Sequence, residues 1–193
     1  SFEDPRIDII IEENKSLTFR DNGSGLTEEE IHKFISVIGQ SSKRDSSMSF
    51  TGRFGIGILS CFMVTPEITL RTRSYKTPDK VYEWHGFTDG KYTVSEISDD
   101  MKTGTEIYIK PSPSSESLFS FSDILGTVRY YGLPVQYPIY VTRGNFSARA
   151  NPLFNKTSTS DRGNVLSMGR HIFGTDFDFL DYIPLESESG LFS

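Results

Sequence analysis

The order of elements in this 193-residue sequence predicts an α+β fold, a two-layer sandwich of a mixed, mainly antiparallel sheet and helices, followed by the start of a second α/β domain. Two observations carry the prediction. Four strand-like segments, "EITLRTRS", "KVYEWHGF", "KYTVSEIS" and "GTEIYIKP", follow one another instead of alternating with helices, as a doubly wound parallel fold would require. An apolar fraction of 36%, with 15 Phe and 9 Tyr, also supplies enough side chains for a core.

The first two strands are "RIDIIIEE" and "KSLTFRD", β-branched and separated by a turn at Asn14-Lys15, which places them at 6–13 and 16–21. Thr27 with Glu30 three residues on is a capping box. Ile31, Phe34, Ile35 and Ile38 then recur at helical spacing, giving a one-faced helix over 28–38 that Gly39 stops. Residues 40–52, "QSSKRDSSMSFTG", are polar and aperiodic and read as a loop. "GRFGIGILSCFMV" reads as a glycine loop leading into a buried helix at about 56–64. The four strands named above form an antiparallel meander. A Ser/Pro loop follows, then a short helix "DILGTVRYY" that Ser122 can cap, and a strand "VQYPIYVTR". From Gly144 to Arg162 the composition turns polar. The expected organisation is therefore a first domain over 1–144, a linker over 145–162 and the beginning of a second domain over 163–193.

Composition narrows the function classes. The net charge is −6 and the pI about 5.1, an acidic balance that does not favour a nucleic-acid partner. One cysteine, Cys61, cannot build a disulfide framework and reads as a small core residue. The apolar run around it is far shorter than a membrane span, and no signal-type segment opens the chain, so a cytoplasmic protein without membrane attachment is expected. His32, His85 and His171 are scattered without metal-ligand spacing, and no metal site is assigned from them.

Three motifs remain. Asp21-Asn22-Gly23-Ser24-Gly25 puts an acid at a strand end beside two glycines. Such an acid can accept a hydrogen bond from an exocyclic amine, and glycines allow a flat ring to approach the backbone. The same residues also make an ordinary Asp-Asn-Gly turn. Gly52-Arg53-Phe54-Gly55-Ile56-Gly57 sits at the mouth of an apolar helix, where free backbone N–H groups make an anion site, or where glycines merely form a hinge. It lacks the Gly-Lys-Ser/Thr of a P-loop and the order of a dinucleotide fingerprint. Thr103-Gly104-Thr105, leading into "EIYIK", is by itself a turn into a strand.

Taken in order and spacing, the three motifs resemble the ATP site of the GHKL (Bergerat-fold) ATPases, and within them the ninety-kilodalton heat-shock chaperone family. The resemblance runs through "DNGSGLTEEEI", "IGQSSK", "GRFGIGILSCFMV", "ITLRTRS" and "TGTEIYIK", and covers about residues 6–110. It implies that Asp21 receives the adenine amino group of ATP or ADP. Gly23 and Gly25 would bring the backbone under the ring, with Leu26 against it and Thr105 backing the base. Ile38 and Gly39 would border the sugar, Lys43 would stand on the phosphate side, and Gly52, Phe54, Gly55, Ile56 and Gly57 would wrap the phosphates. The family takes its general base, a glutamate, and its Mg²⁺ ligand, an asparagine, from a helix before the first strand. No residue here matches them, so the resemblance implies that they lie upstream of Ser1, and the catalytic base is left unassigned. The implied function is the ATP-binding N-terminal region of an ATP-dependent chaperone, with client proteins as partners and a homodimer when full length. The other readings are an ATPase clamp of the DNA mismatch-repair or gyrase type and a sensor-kinase ATP-binding domain.

Overall fold

The computed structural model describes residues 4–12, 16–39, 58, 60–132, 135, 137–151, 169–170, 185–187 and 190–192, with side chains in the first helix described through Lys33. The chain divides into two compact units, one comprising 1–44 and 54–151, the other 45–53 and 152–193.

The first unit is built on an eight-stranded sheet. Its strands are β1 (Ile7–Ile11), β2 (Leu17–Asp21), β3 (Glu67–Arg73), β4 (Val81–Phe87), β5 (Tyr92–Ile97), β6 (Gly104–Ile109), β7 (Ile139–Arg143) and β8 (Phe146–Arg149). Their spatial order is β5-β4-β3-β6-β2-β1-β7-β8. All neighbours are antiparallel except β1 and β7, which run parallel, so the sheet is mixed and mainly antiparallel, as the order of elements predicts. Helix α1 spans Glu28–Gly39 and α2 spans Phe121–Tyr131. Ile58 and Ser60 are helical and continue into a 3-10 turn at Cys61–Met63, where the glycine-rich motif predicts a helix.

Side-chain alternation divides the sheet into faces. Three rows of paired residues cross the inner face. One row holds Ile11, Leu17, Ile109 and Ile68; the next holds Val141, Ile9, Phe19, Ile107, Leu70, Trp84 and Val94. These two rows are the core. Ile31 of α1 and the stripe Phe121, Ile124, Leu125 and Val128 of α2 pack against them, the latter at helical spacing. The third row turns polar in its middle, where Asp21, Thr105 and Thr72 sit side by side on β2, β6 and β3.

The four consecutive strands do not form a simple meander. β3, β4 and β5 do, but β6 returns past them to pair with both β3 and β2. β5, in which every residue is exposed or only half-buried, tolerates the sheet edge, whereas β6 carries Ile107 and Ile109 on its inner face and is stabilised by the central slot. The strand expected over "VQYPIYVTR" begins only at Ile139. The residue ahead of it, Pro138, has no N–H to give, although its carbonyl accepts from Ile7 at 2.9 Å. α2 is capped by Ser120 and not by Ser122. Ser120 is extended (φ −73°, ψ 151°), and its hydroxyl accepts from Asp123 N–H at 3.1 Å.

The sheet also continues beyond Gly144 into residues whose composition reads as linker. β8 pairs with β7 through Arg149. Asn151, buried, then closes the unit: its Oδ1 accepts from Ile139 N–H at 2.8 Å, and its Nδ2 donates to the carbonyls of Val135 and Tyr137 at 3.0 and 2.9 Å. Polar composition misleads here because one buried amide satisfies backbone groups of Val135, Tyr137 and Ile139 between α2 and β7. In the second unit the described residues are a helical pair at 169–170 and a hairpin of β9 (Leu185–Ser187) and β10 (Gly190–Phe192).

Candidate functional site: a polar row at the end of an apolar sheet

The site begins where the inner face stops being apolar. Asp21 ends β2, and Thr105, the second residue of β6, is paired directly with it. Thr72 of β3 is paired with Thr105 from the other side. The three side chains therefore share one face and one level, next to the apolar row of Phe19, Ile107 and Leu70.

Asp21 is half-buried, and its burial pushes the carboxyl above its ordinary 3.8, while the backbone N–H groups of Gly23 and Thr105 pull the other way. The Gly23 bond is 2.8 Å to Oδ1. The acid is thus oriented by backbone donors. Nothing among the described groups that shift its pKa carries a positive charge.

Two glycines make the close packing around it possible. Gly25 has φ +63°, and a Cβ there would lie 2.0 Å from the carbonyl oxygen of Arg73. Gly104 has φ +140°, and a Cβ there would lie 2.1 Å from the carbonyl oxygen of Asp21. These two positions let the loop after β2 lie on the end of β3, and the start of β6 lie on the end of β2. The loop is then fastened: Tyr75 N–H donates to Ser24 O at 3.0 Å, and Leu26 N–H donates to Thr72 Oγ1 at 2.8 Å. Asn22 holds the other side, accepting from Arg6 N–H at 2.7 Å and donating to Asp4 O at 2.9 Å.

Thr27 and Glu30 close the capping box that the sequence predicts. Thr27 N–H donates to Glu30 Oε2 at 2.9 Å, and Glu30 N–H donates to Thr27 Oγ1 at 3.3 Å. Lys76 donates to the same glutamate at 2.5 Å and so anchors the start of α1 to the β3–β4 connection.

Of the residues expected to form a site, Asp21, Gly23, Gly25, Leu26 and Thr105 come together here. Ile38 and Gly39 are the last residues of α1, described by their backbone only. Lys43, Gly52, Phe54, Gly55, Ile56 and Gly57 lie outside the described residues. Thr72 is missing from the expected set. Its signal is present in "ITLRTRS": it occupies an inward position two residues after Leu70 but carries a hydroxyl. Among the described residues no group of three or more His, Cys, Asp or Glu side chains is placed to hold a metal ion. Among them, too, no helix is long and apolar enough to cross a membrane.

Comparison with known proteins agrees with this geometry. A family model described as "Histidine kinase-, DNA gyrase B-, and HSP90-like ATPase" matches residues 5–109, more than half of the chain and all of the polar row. The chaperone protein HtpG of Chlorobium chlorochromatii is 26% identical over 188 residues, covering 91% of this chain and 30% of that protein. The mitochondrial TNF receptor-associated protein 1 homolog of Dictyostelium discoideum is 32% identical over 161 residues, covering 78% of this chain and 22% of that protein. HtpG of Desulfitobacterium hafniense is 30% identical over 147 residues, 70% of this chain and 24% of that protein. The chain spans less than a third of the length of these relatives. The matched segment carries strands β1 to β6 with the Asp21 row, and the chain belongs to the histidine kinase-, DNA gyrase B- and HSP90-like ATPase family, as an HtpG-like member of it.

Proposed function

We propose that the Asp21 row binds the adenine of ATP or ADP, and that this chain is the ATP-binding N-terminal region of an ATP-dependent molecular chaperone. The observation that carries the reading is the half-buried, backbone-held carboxylate of Asp21, paired with Thr105 and flanked by two glycines whose missing Cβ atoms leave room for close backbone packing. A carboxylate accepts only, which suits an exocyclic amine. Leu26, half-buried against the core, offers an apolar surface to the ring, and the end of α1 at Ile38 and Gly39 would border the sugar.

Lys43 and the segment Gly52, Phe54, Gly55, Ile56, Gly57 are proposed to hold the phosphates through backbone N–H groups and one ammonium. Mg²⁺ would accompany the phosphates and offset their negative charge, the phosphoanhydride bond that an ATPase cleaves being ATP's own. The role of the described residues is to bind and orient the base, and none of them is assigned to the cleavage itself. Residues 163–193 are read as the opening of a middle domain. In the whole protein we place client proteins as partners, a homodimer as the assembly and the cytoplasm as the location, with the named relatives, two of them chaperone proteins, as support. The DNA-clamp reading has less behind it, because the net charge of −6 opposes a nucleic-acid partner.

Calorimetric titration with ATP and with adenosine tests the assignment. Asp21→Asn should weaken both ligands alike, because both carry the adenine. Gly55→Val should weaken ATP far more than adenosine, because only ATP carries phosphates. Unchanged adenosine binding in Asp21→Asn would remove the base assignment, and equal losses in Gly55→Val would remove the phosphate one.

A further inference from the structure

We propose that Thr72 sets the hydrogen-bond polarity of the base pocket, turning Thr105 into an acceptor so that the pocket selects a base with an exocyclic amine. The inference rests on the base-binding reading of the Asp21 row and adds to it a residue outside the Asp21, Gly52 and Thr103 motifs. Thr72 is wholly buried in β3. A hydroxyl has one proton and two lone pairs. The Thr72 proton is committed to the carbonyl oxygen of Gly104 at 3.0 Å, because a carbonyl can only accept. One lone pair accepts from Leu26 N–H at 2.8 Å, because an amide N–H can only donate.

The third contact is with Thr105 Oγ1 at 3.3 Å. Since the Thr72 proton is already used, Thr105 must be the donor in it. All three valences of the Thr72 hydroxyl are then filled. The Thr105 hydroxyl has given up its only proton and offers the site lone pairs alone. Across the β2–β6 pair, the Asp21 carboxylate also offers lone pairs alone. Two neighbouring acceptors match the two N–H groups of an amine and repel a keto oxygen. A site built to pair with a donor rejects an analogue lacking it strongly, since its polar groups are left unpaired. Thr72 touches no base in this account; it is a positioning residue that acts through Thr105.

ATP and inosine triphosphate differ at the 6-position, amino or oxo, and in the N1 hydrogen that accompanies the oxo form, so the ratio of their affinities reads the hydrogen-bond polarity of this edge of the pocket. The unaltered protein should prefer ATP by roughly 100-fold or more. In Thr72→Val the Thr105 proton is released to turn toward the ligand, where it can donate to a keto oxygen. The preference should narrow by roughly tenfold or more, and Thr72→Ser, which keeps the hydroxyl, should restore it. A lower melting temperature in Thr72→Val with an unchanged ATP-to-inosine-triphosphate ratio would overturn the proposal and leave Thr72 as packing alone. Should Thr72→Val not fold, Thr105→Val carries the test: it removes the acceptor through which the effect must pass, and an unchanged ratio there overturns the proposal equally. Failure of the unaltered protein to bind either nucleotide would overturn the base reading itself, whereas tight binding of both without preference would overturn only the polarity argument.

Discussion

One residue separates two different uses of the same three strands. Asp21, Thr105 and Thr72 form the polar row on the inner face; their chain neighbours Arg20, Glu106 and Arg71 form a row on the outer face. The outer row continues to Asp8 on β1 and Glu83 on β4, so that charges alternate in sign across five strands. Arg20 Nε meets Glu106 Oε1 at 2.6 Å, Arg71 Nε meets Glu83 Oε2 at 2.8 Å, and the Arg6 guanidinium meets Asp8 and lies over the Tyr140 ring. These outer charges satisfy one another at the surface. The inner row is different. Its acid is held by the backbone N–H groups of Gly23 and Thr105, and its Thr72 hydroxyl is ordered by backbone groups and in turn meets the Thr105 hydroxyl. The pleat thus places a self-neutralising ladder on one face and, on the other, an acceptor held by backbone donors, the group on which the proposed base recognition rests.

The largest expected difference concerns backbone packing beneath the inner row. Gly25→Val puts a β-branched side chain at φ +63° with its Cβ 2.0 Å from Arg73 O, and should cost about 3–5 kcal/mol of stability. Gly90, at φ +82° in the turn before β5, has no atom within 4 Å of the same position, and Gly90→Ala should cost only the backbone penalty of about 1–2 kcal/mol. Denaturant midpoints of the two variants compare them; equal losses would mean that the close approach at Gly25 is not tight.

Next comes pH. Burial raises the Asp21 carboxyl above 3.8, so between that value and the raised one the folded chain keeps a proton that the unfolded chain has released. Its contribution to stability is therefore present at low pH and falls as pH rises through that window. Glu30 has the opposite sign: the Lys76 hydrogen bond, then the Thr27 N–H, lower it below 4.5, and its contribution is present above 4.5 and lost as pH falls through the lowered value. Adenosine affinity should follow Asp21 alone, weakening as pH falls through the raised value. An affinity that does not change as pH is lowered until the carboxyl is protonated would show that the charged carboxylate is not what the ligand meets.

The smallest effect belongs to the outer ladder. Arg71→Gln removes a half-exposed guanidinium from Glu83 and Asp99, and should cost about 0–1 kcal/mol, less at high salt. A larger loss, insensitive to salt, would mean that the ladder is part of the core's support.

Much of the inner row was legible in the sequence. The Asp21 motif, the Thr27–Glu30 box and the strand entering at Thr105 are local patterns, each set by residues within a few positions of one another. Thr72 was not, because its importance depends on pairing with Thr105, 33 residues away. The return of β6 to the sheet centre, the parallel pairing of β7 with β1 and the closure by Asn151 escaped for the same reason: register between distant strands leaves no trace in local periodicity. Polar residues that satisfy buried backbone, as Asn151 does, also look like linker until their partners are known.

Calorimetric titration of adenosine into Asp21→Asn and Arg20→Gln, adjacent residues on opposite faces of β2, tests the central claim most directly. Asp21→Asn should weaken binding by about 1.5–3 kcal/mol, the range for hydrogen bonds to a charged group, while keeping the fold. Arg20→Gln should leave the affinity unchanged. Equal losses in the two variants, or a loss only in Arg20→Gln, would contradict the assignment of base recognition to the inner row.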